Sequence, residues 1–144
     1  MEILRFSSIV STGVPHKALE DVQFHGYTIP RGTTIMYNIR YASRDPKAWG
    51  DPDNFRPERF LSSDGKSIVR NEAWIPFSTG KRVCLGETLA KDELFLFLGN
   101  LLQQFQVSPP EIGEMPDLQK YSSSLVLIPD PQEIVLRERI AMCK

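Results

Sequence analysis

The sequence predicts a mainly α-helical protein with small β-sheets. Three observations carry that expectation. The stretch Glu87 to Gln104 opens on charged residues and then turns apolar almost all round, which predicts a helix buried on most sides. Two short β-type runs, Val22-Gln-Phe24 and Tyr27-Thr-Ile29, flank His25-Gly26 and read as a hairpin with glycine in its turn. From Asp45 to Ile75, Pro46, Pro52 and Pro57 together with Gly50 and Gly65 argue for irregular chain.

Composition narrows the class. A chain of 144 residues suffices for one modest core, and 24% charged with 41% hydrophobic residues is globular rather than disordered. A formal net charge of −1 gives no reason to expect nucleic-acid binding. Two cysteines, Cys84 and Cys143, make no disulfide framework, which favours reduced surroundings. No apolar run approaches the roughly 20 residues that span a bilayer. Glu2 and Arg5 interrupt the first apolar positions, so the start is no signal peptide.

In chain order, Glu2 to Ile9 reads as the last turns of a helix, with Glu2 and Arg5 on one face. Ser11-Thr-Gly-Val-Pro15 breaks it, because Pro15 pushes Val14 to an extended conformation. After the hairpin, Pro30-Arg-Gly32 turns the chain, Thr33 to Asn38 is a strand, and Ile39 to Ser43 is a short helix. In the irregular stretch Trp49, Phe55, Phe60 and Trp74 are the residues able to pin the chain. Past the long helix, Pro109-Pro110 and Pro116 mark a loop. Leu125 to Ile128 and Glu133 to Leu136 read as two strands of one hairpin about Pro129-Asp-Pro131.

The candidate chemistry lies in Phe77-Ser-Thr-Gly-Lys-Arg-Val-Cys-Leu-Gly86. Cys84 stands between Gly80 and Gly86, with Arg82 two residues before it and a helix start directly after. Backbone N–H groups at a helix start suit an anionic sulfur, and glycines admit a large cofactor where a Cβ would block it. A lone cysteine is otherwise a small buried hydrophobe. Zinc is disfavoured, because no second cysteine or histidine stands at ligand spacing. The C-x-x-C type of redox thiol is excluded, because no second cysteine stands three positions from Cys84.

This stretch resembles the haem-thiolate signature of the cytochrome P-450 family: Phe77, Gly80, Arg82, Cys84 and Gly86 match its defining positions. Glu2-Ile-Leu-Arg5 looks like the family's E-x-x-R motif, and Pro57-Glu-Arg-Phe60 like its P-E-R-F motif. The wording is most similar to the microsomal drug- and fatty-acid-oxidising branch of animals. The resemblance covers nearly the whole chain but only the C-terminal part of the family's fold. Residues 1–144 are then the haem-binding part of one domain whose larger N-terminal part is missing.

The resemblance implies the rest. Haem is the cofactor, and Cys84 is the catalytic residue as axial ligand to its iron. Phe77, Gly80, Arg82, Gly86 and His16 are cofactor-binding, Arg82 and His16 through haem propionates. A surface loop histidine and a surface arginine are the competing readings. Glu2, Arg5 and Arg59 form a buried ion cluster. Val10, Thr12, Gly13, Val14 and Leu125 line a substrate pocket. The partners are a flavin reductase that takes electrons from NADPH, O2 and a small hydrophobic organic substrate. Lys81 and Lys91 are candidates for the reductase-facing surface, or plain solvated lysines. The location implied is the cytosolic face of the endoplasmic reticulum membrane, through an anchor upstream. The expected activity is monooxygenation. The rivals are a haem-thiolate isomerase or peroxygenase, and a truncated, non-catalytic product.

Overall fold

The computed structural model describes residues 1–139 except 114, 119, 124 and 125. Leu125, a pocket candidate, and Cys143 therefore lie outside the described residues. The chain divides into two compact units, Met1–Ser78 with Ser123–Leu127, and Thr79–Ser122 with Ile128–Lys144.

In the first unit, α1 spans Glu2–Ser7. It stops two residues short of the expected end because Ser8 turns left-handed, at φ 43°. The Ser8 hydroxyl donates to the Arg5 carbonyl at 2.7 Å, satisfying one of the acceptors a helix end leaves open. The strands β2 (Val22–Phe24) and β3 (Tyr27–Ile29) pair antiparallel, as expected. Their turn has positive φ at both His25 and Gly26, the type I′ geometry whose twist matches a hairpin.

The strand expected over Thr33 to Asn38 is shorter. β1 (His16–Lys17) pairs with β4 (Thr34–Ile35), and Thr12 meets Asn38 in an isolated bridge. The register slips by one residue between the two pairings, across Pro15, which has no N–H to give to a ladder. In the gap the Gly13 N–H donates to the Tyr37 carbonyl at 2.9 Å. A Cβ at Gly13 would lie 2.1 Å from the Tyr37 ring. Gly13→Ala is therefore expected to cost about 1–3 kcal/mol through overpacking. Thermal melting checks this, and an unchanged midpoint contradicts it.

α2 (Ile39–Arg44) is capped by Asn38, whose side chain accepts from the Tyr41 N–H. A further helical turn, α3 (Pro46–Trp49), lies in the stretch expected to be irregular. Asp45 caps it and Pro46 opens it, a pairing that reads as breakers in sequence yet starts a helix well. Pro57–Phe60 makes a 3₁₀ turn. The core is Trp49, Phe60 and Trp74, with rings packed edge to face at 5.7 and 6.4 Å. Both indole N–H groups are satisfied, Trp49 by the Ala42 carbonyl and Trp74 by that of Met1.

In the second unit, Gly80–Arg82 forms a 3₁₀ turn, and α4 spans Glu87–Gln104, with the expected bounds. Its burial differs from expectation. None of its residues is buried, and Leu89, Phe95, Leu96, Phe97, Leu101 and Leu102 are exposed. A helix apolar all round needs neighbours on several sides. Among the described residues it packs chiefly against β5 (Phe105–Ser108), its own continuation.

The expected last hairpin is also corrected. β8 (Val135–Glu138) pairs antiparallel with β5, from Phe105 opposite Glu138 to Ser108 opposite Val135. β7 (Leu127–Pro129) pairs instead with β6 (Tyr121–Ser123). Five residues, 130–134, separate β7 from β8, with Pro131 among them, so no tight turn holds the two strands together.

Candidate functional site

Charge pairing in the first unit is built around Glu2, which is 3% exposed, and Arg5, which is 0% exposed. Arg5 donates to both Glu2 carboxylate oxygens, Nε to Oε2 and Nη2 to Oε1, each at 2.7 Å. Arg59 Nε donates to Oε1 at 3.1 Å, and the Arg56 backbone N–H donates to the same oxygen at 2.9 Å. The remaining guanidinium hydrogens meet backbone carbonyls. Arg5 reaches Ser43 and Pro52, and Arg59 reaches Trp49, Asp51 and Asn54. Both guanidinium groups also lie over the Trp49 ring, at 5.2 and 5.8 Å.

Three expected partners thus come together, and the irregular stretch supplies what sequence reading missed. Its carbonyls at Pro52 and Asn54 are free to accept because they stand outside helix and sheet. Burial pushes the Glu2 carboxyl up. Hydrogen bonds from Arg5, Arg56 and Arg59, with the Arg5 charge, outweigh burial and hold it below its ordinary value. Asp51 adds an outer ion pair to Arg59 at 3.2 Å and to Arg56 at 2.8 Å.

The cysteine stretch is a succession of tight turns. Ser78 (φ 70°) and Gly80 (φ 75°) are both left-handed. Only glycine takes that conformation freely, so Gly80 has a backbone reason. The Val83 N–H donates to the Gly80 carbonyl at 3.2 Å, and the Glu87 N–H to the Cys84 carbonyl at 3.4 Å. Gly86 is the N-cap of α4. A Cβ on Gly86 would meet only the Cys84 sulfur, at 3.9 Å, which is ordinary contact. The chain itself therefore does not require glycine there, and the open space beside the sulfur admits a close-lying group. Cys84 is exposed and free. Arg82 is exposed and, among the described residues, makes no hydrogen bond or ion pair. Lys81 is exposed, whereas Lys91 pairs with Glu87 one helical turn back.

The other expected site residues lie in the first unit. Phe77 is half-buried, 6.4 Å from the Trp74 ring centre. Val10 and Val14 are exposed, Thr12 is half-buried at its bridge to Asn38, and Gly13 is buried beneath Tyr37. His16 lies edge-on to Tyr37 at 5.7 Å, and its Nε2 is buried with no hydrogen-bond partner. Tyr37 and Ser78 escaped sequence reading, since a tyrosine in a strand and a serine in a loop carry no distinctive signal. Among the described residues no three His, Cys, Asp or Glu side chains gather to hold a metal ion.

Comparison with known proteins places this geometry. The family model described as Cytochrome P450 matches residues 1–136. The chain is 41% identical to Cytochrome P450 2B9 of Mus musculus over 138 residues, which are 96% of this chain and 28% of that relative. It is 42% identical to Cytochrome P450 2U1 of Homo sapiens over 139 residues, 96% of this chain and 25% of that relative. The chain thus spans about a quarter of the length of the curated relatives it matches. With the match running through both units, the chain belongs to the cytochrome P450 family, whose members are haem-binding monooxygenases.

Proposed function

We propose that this chain is the cysteine-bearing part of a haem-thiolate monooxygenase acting on a small hydrophobic organic substrate. The observation that carries the reading is Cys84, an exposed sulfur between Gly80 and Gly86, just ahead of α4. The donor set fits haem: one sulfur for the iron, an unengaged Arg82 guanidinium, and a buried, unpaired His16 Nε2 to meet carboxylates.

Bound haem supplies dioxygen activation, with two electrons from a flavin reductase, one oxygen atom entering the substrate and the other leaving as water. Cys84 holds the iron through its thiolate. Arg82 and His16 hold the propionates. Phe77 packs against the bound haem, and covering the metal's ligand tunes its potential. Gly80 and Gly86 keep the approach to the sulfur open. Val10, Thr12, Gly13 and Val14, with Leu125, contribute to the substrate pocket. Glu2, Arg5 and Arg59 hold the first unit together. Lys81 faces the electron donor, where a positive charge steers an acidic surface. The setting is the cytosolic face of the endoplasmic reticulum membrane. Among the described residues no helix is long and apolar enough to cross a membrane.

The test places these 144 residues in the corresponding quarter of the mouse relative. The chimaera is expected to insert labelled oxygen from O2 into substrate only with reductase and NADPH. Turnover that needs no reductase would instead indicate a peroxygenase or isomerase. A non-catalytic role for the chain by itself is favoured by the open Cys84 and the exposed apolar residues of α4. Water is not excluded there, as this chemistry requires. The 144-residue chain assayed alone is therefore expected to give no NADPH-driven product, and measurable product would contradict that.

A further inference from the structure

Tyr37 joins three features that the proposed site needs. Its ring covers Gly13 so closely that no Cβ fits between them. Its edge-on contact at 5.7 Å sets the plane of the His16 imidazole. Its hydroxyl donates to the Ser78 Oγ at 2.6 Å, across 41 residues of sequence. Ser78 is the left-handed residue between Phe77 and the Thr79-Gly80 step, and its own N–H donates to the Ile75 carbonyl at 3.0 Å. One side chain thus fixes the segment carrying Gly13 and His16 and ties it to the residue next to Phe77.

The His16 Nε2 makes the arrangement functional rather than merely compact. A buried polar atom with no partner is uncommon and calls for a ligand or a reason. Here the imidazole is held in place from the side by Tyr37 while Nε2 stays unengaged. We propose that Tyr37 is a positioning residue: it aims His16 at a carboxylate of the cofactor and locks that aim to Ser78. This rests on the haem-thiolate reading. Tyr37 itself contacts neither the iron nor the substrate in this account; it acts through His16 and Ser78.

Two substitutions separate its parts. Tyr37→Phe keeps the ring on Gly13 and beside His16 but removes the hydroxyl, whereas Tyr37→Leu removes the edge contact as well. The readout is the rate at which the haem-loaded chain releases haem to an excess of apomyoglobin. It is measured with protohaem and with its dimethyl ester, whose carboxylates are blocked. Y37F is expected to speed protohaem release about fivefold, as for loss of one hydrogen bond. Ser78→Ala is expected to do the same, and the double variant to add little more. Y37L is expected to exceed both.

With the dimethyl ester all variants are expected to match the parent chain, because there is no carboxylate for His16 to hold. A general loss of structure would speed release of both haems alike. Equal protohaem release from parent and Y37F, or equal acceleration with the ester, overturns the proposal while leaving the haem-thiolate reading intact. If the reduced, carbon monoxide-bound parent lacks the red-shifted Soret band of a thiolate ligand, the underlying reading falls, and this proposal with it.

Discussion

Glu2→Gln is expected to destabilise the first unit by about 3–5 kcal/mol, the usual cost of removing one partner from a buried ion pair. The substitution keeps shape and volume but leaves Arg5, which is 0% exposed, without its anion, and Arg59 with only the outer Asp51 carboxylate. Set against a domain stability of about 5–15 kcal/mol, that loss is a large share of the whole. Denaturant titration measures it, and a change under about 1 kcal/mol, the range of exposed surface pairs, contradicts the assignment.

The cluster also sets an acid dependence. The Glu2 carboxyl is depressed in the folded chain. Its contribution is therefore fully present above the unfolded glutamate value, about 4.3, and is lost as pH falls below that through the folded value. The parent should lose stability across that window more steeply than Glu2→Gln. Parallel acid limbs would show that another group governs acid unfolding.

The second large effect is expected at Cys84. Histidine there can still hold iron, but as a neutral ligand, without the electron density a thiolate pushes onto the metal. Axial-ligand identity sets haem potentials over about 0.8 V, so Cys84→His in the haem-loaded chain is expected to raise the midpoint by on the order of 100 mV or more. Potentiometric titration of both forms reads this. An unmoved potential means that Cys84 is not the ligand.

Some of this was legible in sequence because local chemistry decides it. The bounds of α4 follow from Gly86 ahead of a glutamate-led first turn and a leucine-rich run that tolerates Gly99 within it. The β2–β3 hairpin follows from His25-Gly26, a pair that can take positive φ twice. Trp49, Phe60 and Trp74 announce a pinned stretch because aromatics in irregular chain have few other uses.

The rest depends on partners distant in sequence. β8 chooses β5 rather than β7, and no residue within β8 encodes that choice. Arg59 meets Glu2 across 57 positions, which spacing alone does not reveal; the family wording did. The tie from Tyr37 to Ser78 had no such wording behind it. The exposure of α4 is not legible in sequence, because apolar composition states what a helix needs, not whether neighbours are present.

The central claim is that the Cys84 sulfur binds haem iron. It is tested most directly by the carbon monoxide difference spectrum of the reduced, haem-loaded chain beside its Cys84→Ser variant. The account predicts a far red-shifted Soret band for the parent and none for the variant. An unshifted band in the parent, or the same red-shifted band in both, would contradict it.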